Sequence, residues 1–153
     1  MSEESQRAIS EEFANPDLVA LTHRAFEAVN RRDLDALMRL YAPDSLLDTT
    51  RTIGVAPQGR AAIRGLVEDW MGAYEELAWV VEEPLDLGNG VVFAVVSQMG
   101  RPVGVTGSVR QREAWLWVWV DGLMASHTTY PEADIDEGRA DAERLAESRA
   151  RAR

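Results

Sequence analysis

The chain has no cysteine, which excludes a disulfide framework, a thiolate nucleophile and a Cys-bound metal. Its only histidines are His23 and His127, so a His-rich metal site is excluded as well. Positive charge is scarce: 16 Lys and Arg stand against 26 Asp and Glu, giving a net charge of −10. Nucleic-acid and anionic-membrane partners are therefore not expected, because both need a positive face. No apolar run reaches the roughly 20 residues of a membrane span. The first residues, Met-Ser-Glu-Glu-Ser-Gln-Arg, lack a basic region followed by an apolar run. No signal peptide is expected, and the expected location is the cytoplasm. A phosphate-binding glycine loop and a nucleophile-elbow signature are both missing.

What is present points to one soluble domain. The length is 153 residues, 46% of them hydrophobic and 27% charged, ordinary values for a single globule.

The stretch Glu113 to Tyr130 organises the rest. Two apolar runs flank Asp121-Gly122, a strong hairpin signal. Trp115, Trp117 and Trp119 alternate and leave one strand face, while Leu116, Val118 and Val120 leave the other. Both faces are apolar, so neither is expected to lie bare in water. Two turns are chemically reasonable. A two-residue turn, Asp121-Gly122, pairs Val120 with Leu123 and puts His127 beside Leu116. A three-residue turn, Val120-Asp121-Gly122, pairs Trp119 with Leu123, Trp117 with Ala125 and Trp115 with His127, and sets Glu113 opposite Thr129.

Residues 1–14 read as a mobile or loosely helical arm, 15–131 as the domain and 132–153 as an exposed C-terminal helix. Asn15-Pro16 reads as a helix start. Leu18, Leu21, Ala25 and Val29 follow at helical spacing, and His23 falls off that stripe. Asp33 caps a second short helix burying Leu34, Leu37, Met38 and Tyr41, and Pro43 stops it. Ser45 to Thr52 reads as a strand and residues 53–59 as a loop. A third helix begins near Arg60 with the stripe Ile63, Leu66, Val67, Trp70 and Tyr74. From Leu77 the period becomes two, and the strands run to Tyr130 with turns at Gly88-Asn89-Gly90 and between Gly100 and Gly107. Helices first and an antiparallel sheet after them mean an α+β fold: a curved antiparallel sheet wrapped around three N-terminal helices, leaving a cone-shaped cavity.

This order resembles the SnoaL-like branch of the nuclear transport factor 2-like superfamily. The resemblance is carried by Arg-Asp-Leu-Asp-Ala-Leu-Met-Arg-Leu-Tyr-Ala-Pro-Asp (32–44), Gly-Arg-Ala-Ala-Ile-Arg (59–64), Leu-Asp-Leu-Gly-Asn-Gly-Val-Val (85–92) and Trp-Val-Asp-Gly-Leu (119–123), and covers roughly 16–131. It implies a fold that hosts isomerases, cyclases, hydrolases and non-catalytic modules. Positions matching Val118 and Val120 are often polar in similar chains. That implies that the tryptophans point inward and favours the three-residue turn. The oxyanion-hole positions of the steroid isomerases fall on Ala25 and Trp115, so steroid isomerase activity is not implied. Asp48 lies near the general base of that branch, with Thr49 as the alternative if the strand slips by one residue.

The resulting candidate site has Asp48 as base with His127 and Glu113 as an acid–base pair. Trp115, Trp117, Trp119, Trp70, Tyr41, Gln111 and Thr129 line a ligand pocket. No metal and no cofactor are expected. The expected ligand is a small apolar or aromatic molecule, handled by cofactor-free isomerase, cyclase or hydrolase chemistry. The rival is a non-catalytic dimerisation or binding module whose cavity is filled by tryptophan. A cavity above or below roughly 300 Å³ separates the two. Leu116, Val118 and Val120, with Met124 and Ala114 beside them, form an apolar stripe opposite the tryptophans, and a homodimer across it is expected.

Overall fold

The computed structural model describes residues 17–152. The N-terminal arm 1–14 and the Asn15-Pro16 helix start lie outside the described residues. Helix α1 (Leu18–Asn30) is capped by Asp17, whose carboxylate accepts from Ala20 N. The chain turns out of it past Asn30, with Arg32 held at a left-handed φ of 57°. The Arg32 guanidinium donates to the Met71 and Tyr74 carbonyls, tying the end of α1 to the chain that leaves the third helix. Asp33 caps α2 (Leu34–Met38) by accepting from Ala36 N. Strand β1 (Tyr41–Asp48) follows. Tyr41 thus opens a strand rather than closing α2, and β1 starts earlier than the expected Ser45. Helix α3 (Arg60–Gly72) leads into β2 (Tyr74–Val81), so Tyr74 also belongs to a strand. Strands β3 (Leu85–Gly88), β4 (Val91–Pro102), β5 (Val109–Val120) and β6 (Leu123–Pro131) complete the sheet. After a short 3₁₀ turn comes α4 (Ile135–Arg151).

The six-stranded sheet runs β1-β6-β5-β4-β2, with β3 also on β4. Its pairings are antiparallel except β1 with β6, which is parallel. The α+β architecture matches the expectation, with that one parallel edge added.

The central hairpin takes the two-residue turn. Asp121 (φ 52°) and Gly122 (φ 79°) both have positive φ, and Val120 pairs with Leu123. The three-residue turn and its pairings are therefore corrected. A bulge then resets the register: Trp119 pairs with Met124 but Val118 pairs with Ser126, leaving Ala125 as the extra residue. Beside the bulge, Met124 N points away from β5 and donates to the Leu40 carbonyl at 2.7 Å. Beyond it Trp117 pairs with His127, Trp115 with Thr129 and Glu113 with Pro131. His127 thus shares the tryptophan face although the turn is the one that would otherwise have turned it away.

Two cores lie on the two sides of the sheet. On the concave side Trp117, Trp119, Trp79, Val92, Ala94, Val96 and Met124 pack with Ala25, Phe26 and Ile63 of α1 and α3. On the convex side Val91, Phe93, Ala114, Leu116 and Val118 pack against Ala142 and Ala146 of α4. The C-terminal helix is therefore docked, not exposed. Gly138 makes this possible, since a Cβ there would stand 2.9 Å from the Tyr130 ring. Tyr130 donates its hydroxyl to Asp141, and Arg51 lies over the Tyr130 ring while bridging Glu137. The expected dimer stripe is consequently covered from within: Leu116 and Val118 are buried, Met124 belongs to the other core, and Val120 alone of the set is exposed. A second copy of the chain would have to dock elsewhere. Among the described residues no helix is long and apolar enough to cross a membrane.

Candidate functional site: an aromatic cavity on the concave face

The sheet curls around α1 and α3 without closing on them, and the gap is a cavity of about 520 Å³. Its walls come from every main element of the concave side. β5 contributes Gln111, Glu113, Trp115 and Trp117, because alternate residues of one strand share a face. β4 contributes Gln98, β2 Trp79, β6 His127 and Thr129, α1 Ala25 and Phe26, and α3 Leu66, Val67 and Trp70.

Trp115 is the hub of the aromatic wall. Phe26 stacks on it at 5.3 Å between ring centroids, and Trp79 and His127 each approach to 4.6 Å. Trp70 extends the wall by contact with Trp79 at 5.0 Å. Offset and tilted contacts of this kind hold large rings in fixed places without filling the space between them.

Polar side chains line the space too, among them Gln98, Gln111, Glu113, His127 and Thr129 and the charged Arg110, Arg112 and Glu132. Tyr41 begins β1, its carbonyl held by Arg60 Nε at 2.8 Å, and its hydroxyl meets His127 Nδ1 at 3.2 Å. Both side chains are buried. Burial pushes the Tyr41 pKa up, so the phenol stays protonated, and pushes His127 down to about 3, so the imidazole is neutral at physiological pH. Nearer the rim, Glu113 accepts from Trp115 Nε1 at 2.8 Å. Desolvation raises its pKa, and the indole hydrogen bond offsets part of that rise. The Thr129 and Thr52 hydroxyls meet at 2.8 Å, and Thr49 donates to the Val55 carbonyl.

Most of the expected site residues come together here: Glu113, His127, Trp115, Trp117, Trp70, Tyr41, Gln111 and Thr129 all reach the cavity. Asp48 and Trp119 do not. Trp119 is buried in the packed core behind the wall. Leu47 pairs with His127 and shares its face, so alternation along β1 turns Asp48 outward and Thr49 inward. The Asp48 carboxylate instead accepts from Thr50 N at 3.0 Å and Thr50 Oγ1 at 2.6 Å. Those bonds hold its pKa below the usual carboxylate value. Nor do Glu113 and His127 form a pair. His127 stands opposite Trp117, four residues along β5 from Glu113, a backbone rise of about 13 Å, and the Trp115 ring lies between the two side chains. Each has a different partner, Tyr41 for His127 and Trp115 for Glu113. Among the described residues no group of three His, Asp or Glu could hold a metal ion.

Sequence reasoning passed over Gln98, Trp79, Phe26 and Thr52. A signal existed for Gln98: it ends the inward series Val92, Ala94, Val96, Gln98 as its one polar member, 2% exposed.

No curated protein matches the chain by sequence. Solved structures do match by fold. A putative SnoaL-like polyketide cyclase from Shewanella denitrificans has a TM-score of 0.67 at 10% identity, covering 84% of this chain and 99% of its own. A protein of ketosteroid isomerase-like fold from Catenulispora acidiphila, in complex with trimethylamine, has a TM-score of 0.67 at 18% identity, covering 75% and 85%. A Mycobacterium tuberculosis protein in complex with estradiol-17β-hemisuccinate has a TM-score of 0.65 at 15% identity, covering 76% and 95%. Likeness at these identities speaks for the fold alone. A family model, the SnoaL-like domain, matches residues 22–127, most of the described chain. The chain belongs to the SnoaL-like family.

Proposed function

We propose that the protein binds a small, largely apolar and aromatic molecule in the concave cavity. The observation that carries this reading is an unfilled space of about 520 Å³ walled by four tryptophans and Phe26. A cavity within the usual range for ligand sites, with a mainly apolar wall and polar groups set into it, is the common form of a small-molecule pocket. The Trp-filled module is disfavoured by the same space, because the aromatic rings surround it and do not occupy it. The steroid ester bound by the Mycobacterium tuberculosis relative gives the reading further support.

A second reading, proton-transfer catalysis, is favoured by Glu113. It is a desolvated carboxyl at the cavity wall, with its pKa raised above the ordinary carboxyl value by burial, and a carboxyl so placed can act as acid or base. His127, neutral and hydrogen-bonded to Tyr41, is suited to holding a polar group of the ligand rather than to exchanging protons. Asp48 has no part in either reading. Thermal unfolding in the presence of a panel of aromatic and aliphatic compounds tests the first. Aromatic members that bind the folded protein raise the Tm in a concentration-dependent way, whereas an unmoved Tm across the panel contradicts it.

A further inference from the structure

Glu113 is set into the aromatic wall. β5 places it on the concave face beside Trp115, and both side chains line the cavity. Its lateral neighbours in the sheet are Val96 on β4 and Pro131 on β6, and neither has a side-chain donor. Among the described residues the one hydrogen bond that its carboxylate receives comes from Trp115 Nε1, at 2.8 Å to Oε2. An ionised carboxylate has room for about four. Oε1 is left without a protein partner.

No cation of the protein answers that charge. Among the described residues Glu113 takes part in no ion pair. Arg110 and Arg112 also border the cavity, yet alternation along β5 sends their side chains to the other face of the strand. Arg112 is bridged to Glu82 at 3.5 Å. Burial and the indole hydrogen bond are the causes of the shifted Glu113 pKa, and no neighbouring charge is among them. Glu132 brings a second carboxylate to the cavity. A desolvated carboxylate without a counter-charge is unfavourable, and a cation hydrogen-bonded to it offsets that cost.

On the ligand-binding reading of the cavity, we infer that Glu113 is a cation subsite and that the ligand is an aromatic molecule carrying a protonated amine. The ammonium group donates to Oε1 of Glu113, while the aromatic body lies along the indole wall. Indole rings favour a cation where aliphatic side chains do not, because their faces are electron-rich. The net charge of −10 adds a longer-range pull in the same sense. A ligand carboxylate in this place would meet Glu113 with like charge and is disfavoured.

2-Naphthylmethylamine and 2-naphthalenemethanol share one flat body and differ by an ammonium against a hydroxyl. Their affinities for the full chain are measured by calorimetric titration at about pH 7, in the natural protein, in Glu113→Gln and in Glu113→Ala, with circular dichroism to verify folding. The natural protein binds the amine about 10-fold more tightly than the alcohol. Glu113→Gln keeps an acceptor for Trp115 Nε1 but removes the charge, and it brings that ratio to within about 3-fold of unity, chiefly by weakening the amine. Glu113→Ala has the same effect on the ratio and carries the test if Glu113→Gln does not fold. Equal affinities in the natural protein, tighter binding of the alcohol, or a ratio untouched by both substitutions overturn the subsite and leave the ligand-binding reading intact. Binding of neither compound overturns both.

Discussion

Trp117 and His127 face each other across β5 and β6, their ring centroids 5.4 Å apart and their planes within 28°. The contact depends on the Ala125 bulge. Without it, the Asp121-Gly122 turn would set His127 beside Leu116, on the face that α4 covers. With it, the imidazole is sealed between Trp115, Trp117 and Tyr41 and is too poorly solvated to hold a proton.

That burial gives the protein a specific acid sensitivity. His127 has a folded pKa of about 3 against an ordinary value of 6.5. Between those values the unfolded chain takes up a proton that the folded chain refuses, so stability falls as pH falls through that window. The contribution is on the order of 3 kcal/mol between about pH 6.5 and about pH 4. Urea unfolding across this range is expected to show a shallower loss of stability in His127→Asn than in the natural protein. Parallel slopes would mean that the imidazole is not buried as described.

Glu113 carries the opposite sign. Its folded pKa is raised, so the unfolded chain ionises first and the folded state bears a penalty that grows as pH rises through the folded value. Glu113→Gln keeps an acceptor for Trp115 Nε1 and removes the penalty. The variant is expected to be more stable than the natural protein at pH 8, with no difference at pH 3. A variant less stable at pH 8 would place Glu113 in a more polar setting than the cavity wall provides.

Asp48→Asn is expected to cost about 0.5–1.5 kcal/mol through weaker bonds to Thr50, with ligand affinity unchanged. Affinity lost in step with stability across a ligand panel would return Asp48 to the site.

The docking of α4 has a sensitive point at Gly138, which lies against the Tyr130 ring. Gly138→Leu is expected to cost about 1–3 kcal/mol by overpacking. The freed helix uncovers Leu116 and Val118, so sedimentation velocity is expected to show larger species in the variant. A fully stable, unchanged Gly138→Leu would mean that α4 does not pack as found.

The sequence made the sheet, the helices and the aromatic face legible, because periods of two and 3.6 are written in Trp115-Trp117-Trp119 and in the stripe from Ile63 to Trp70. The facing of His127 was legible only in part. The turn was misassigned, and a bulge that compensates has no residue signature of its own at Ala125. Asp48 was ambiguous for the same kind of reason: one step along β1 exchanges it with Thr49, and only the parallel pairing with β6 decides. The covering of the convex stripe was missed because an Ala-, Glu- and Arg-rich helix looks solvated. Its buried contacts are made by Gly138, Ala142 and Ala146, whose small side chains give a weak apolar signal. Gln98 was missed because a lone polar residue in a strand is ordinarily read as facing water.

The most direct test of the ligand-binding account is a calorimetric titration of aromatic compounds against the natural protein and against Ala25→Phe, which puts a ring into the cavity from α1. Ala25 is 7% exposed and lines the space, so the new side chain competes with a ligand without touching the polar groups. The account predicts one-to-one binding by the natural protein and at least about a 10-fold loss of affinity in a folded Ala25→Phe variant. Binding that survives undiminished in that variant, or no binding by the natural protein at all, would contradict it.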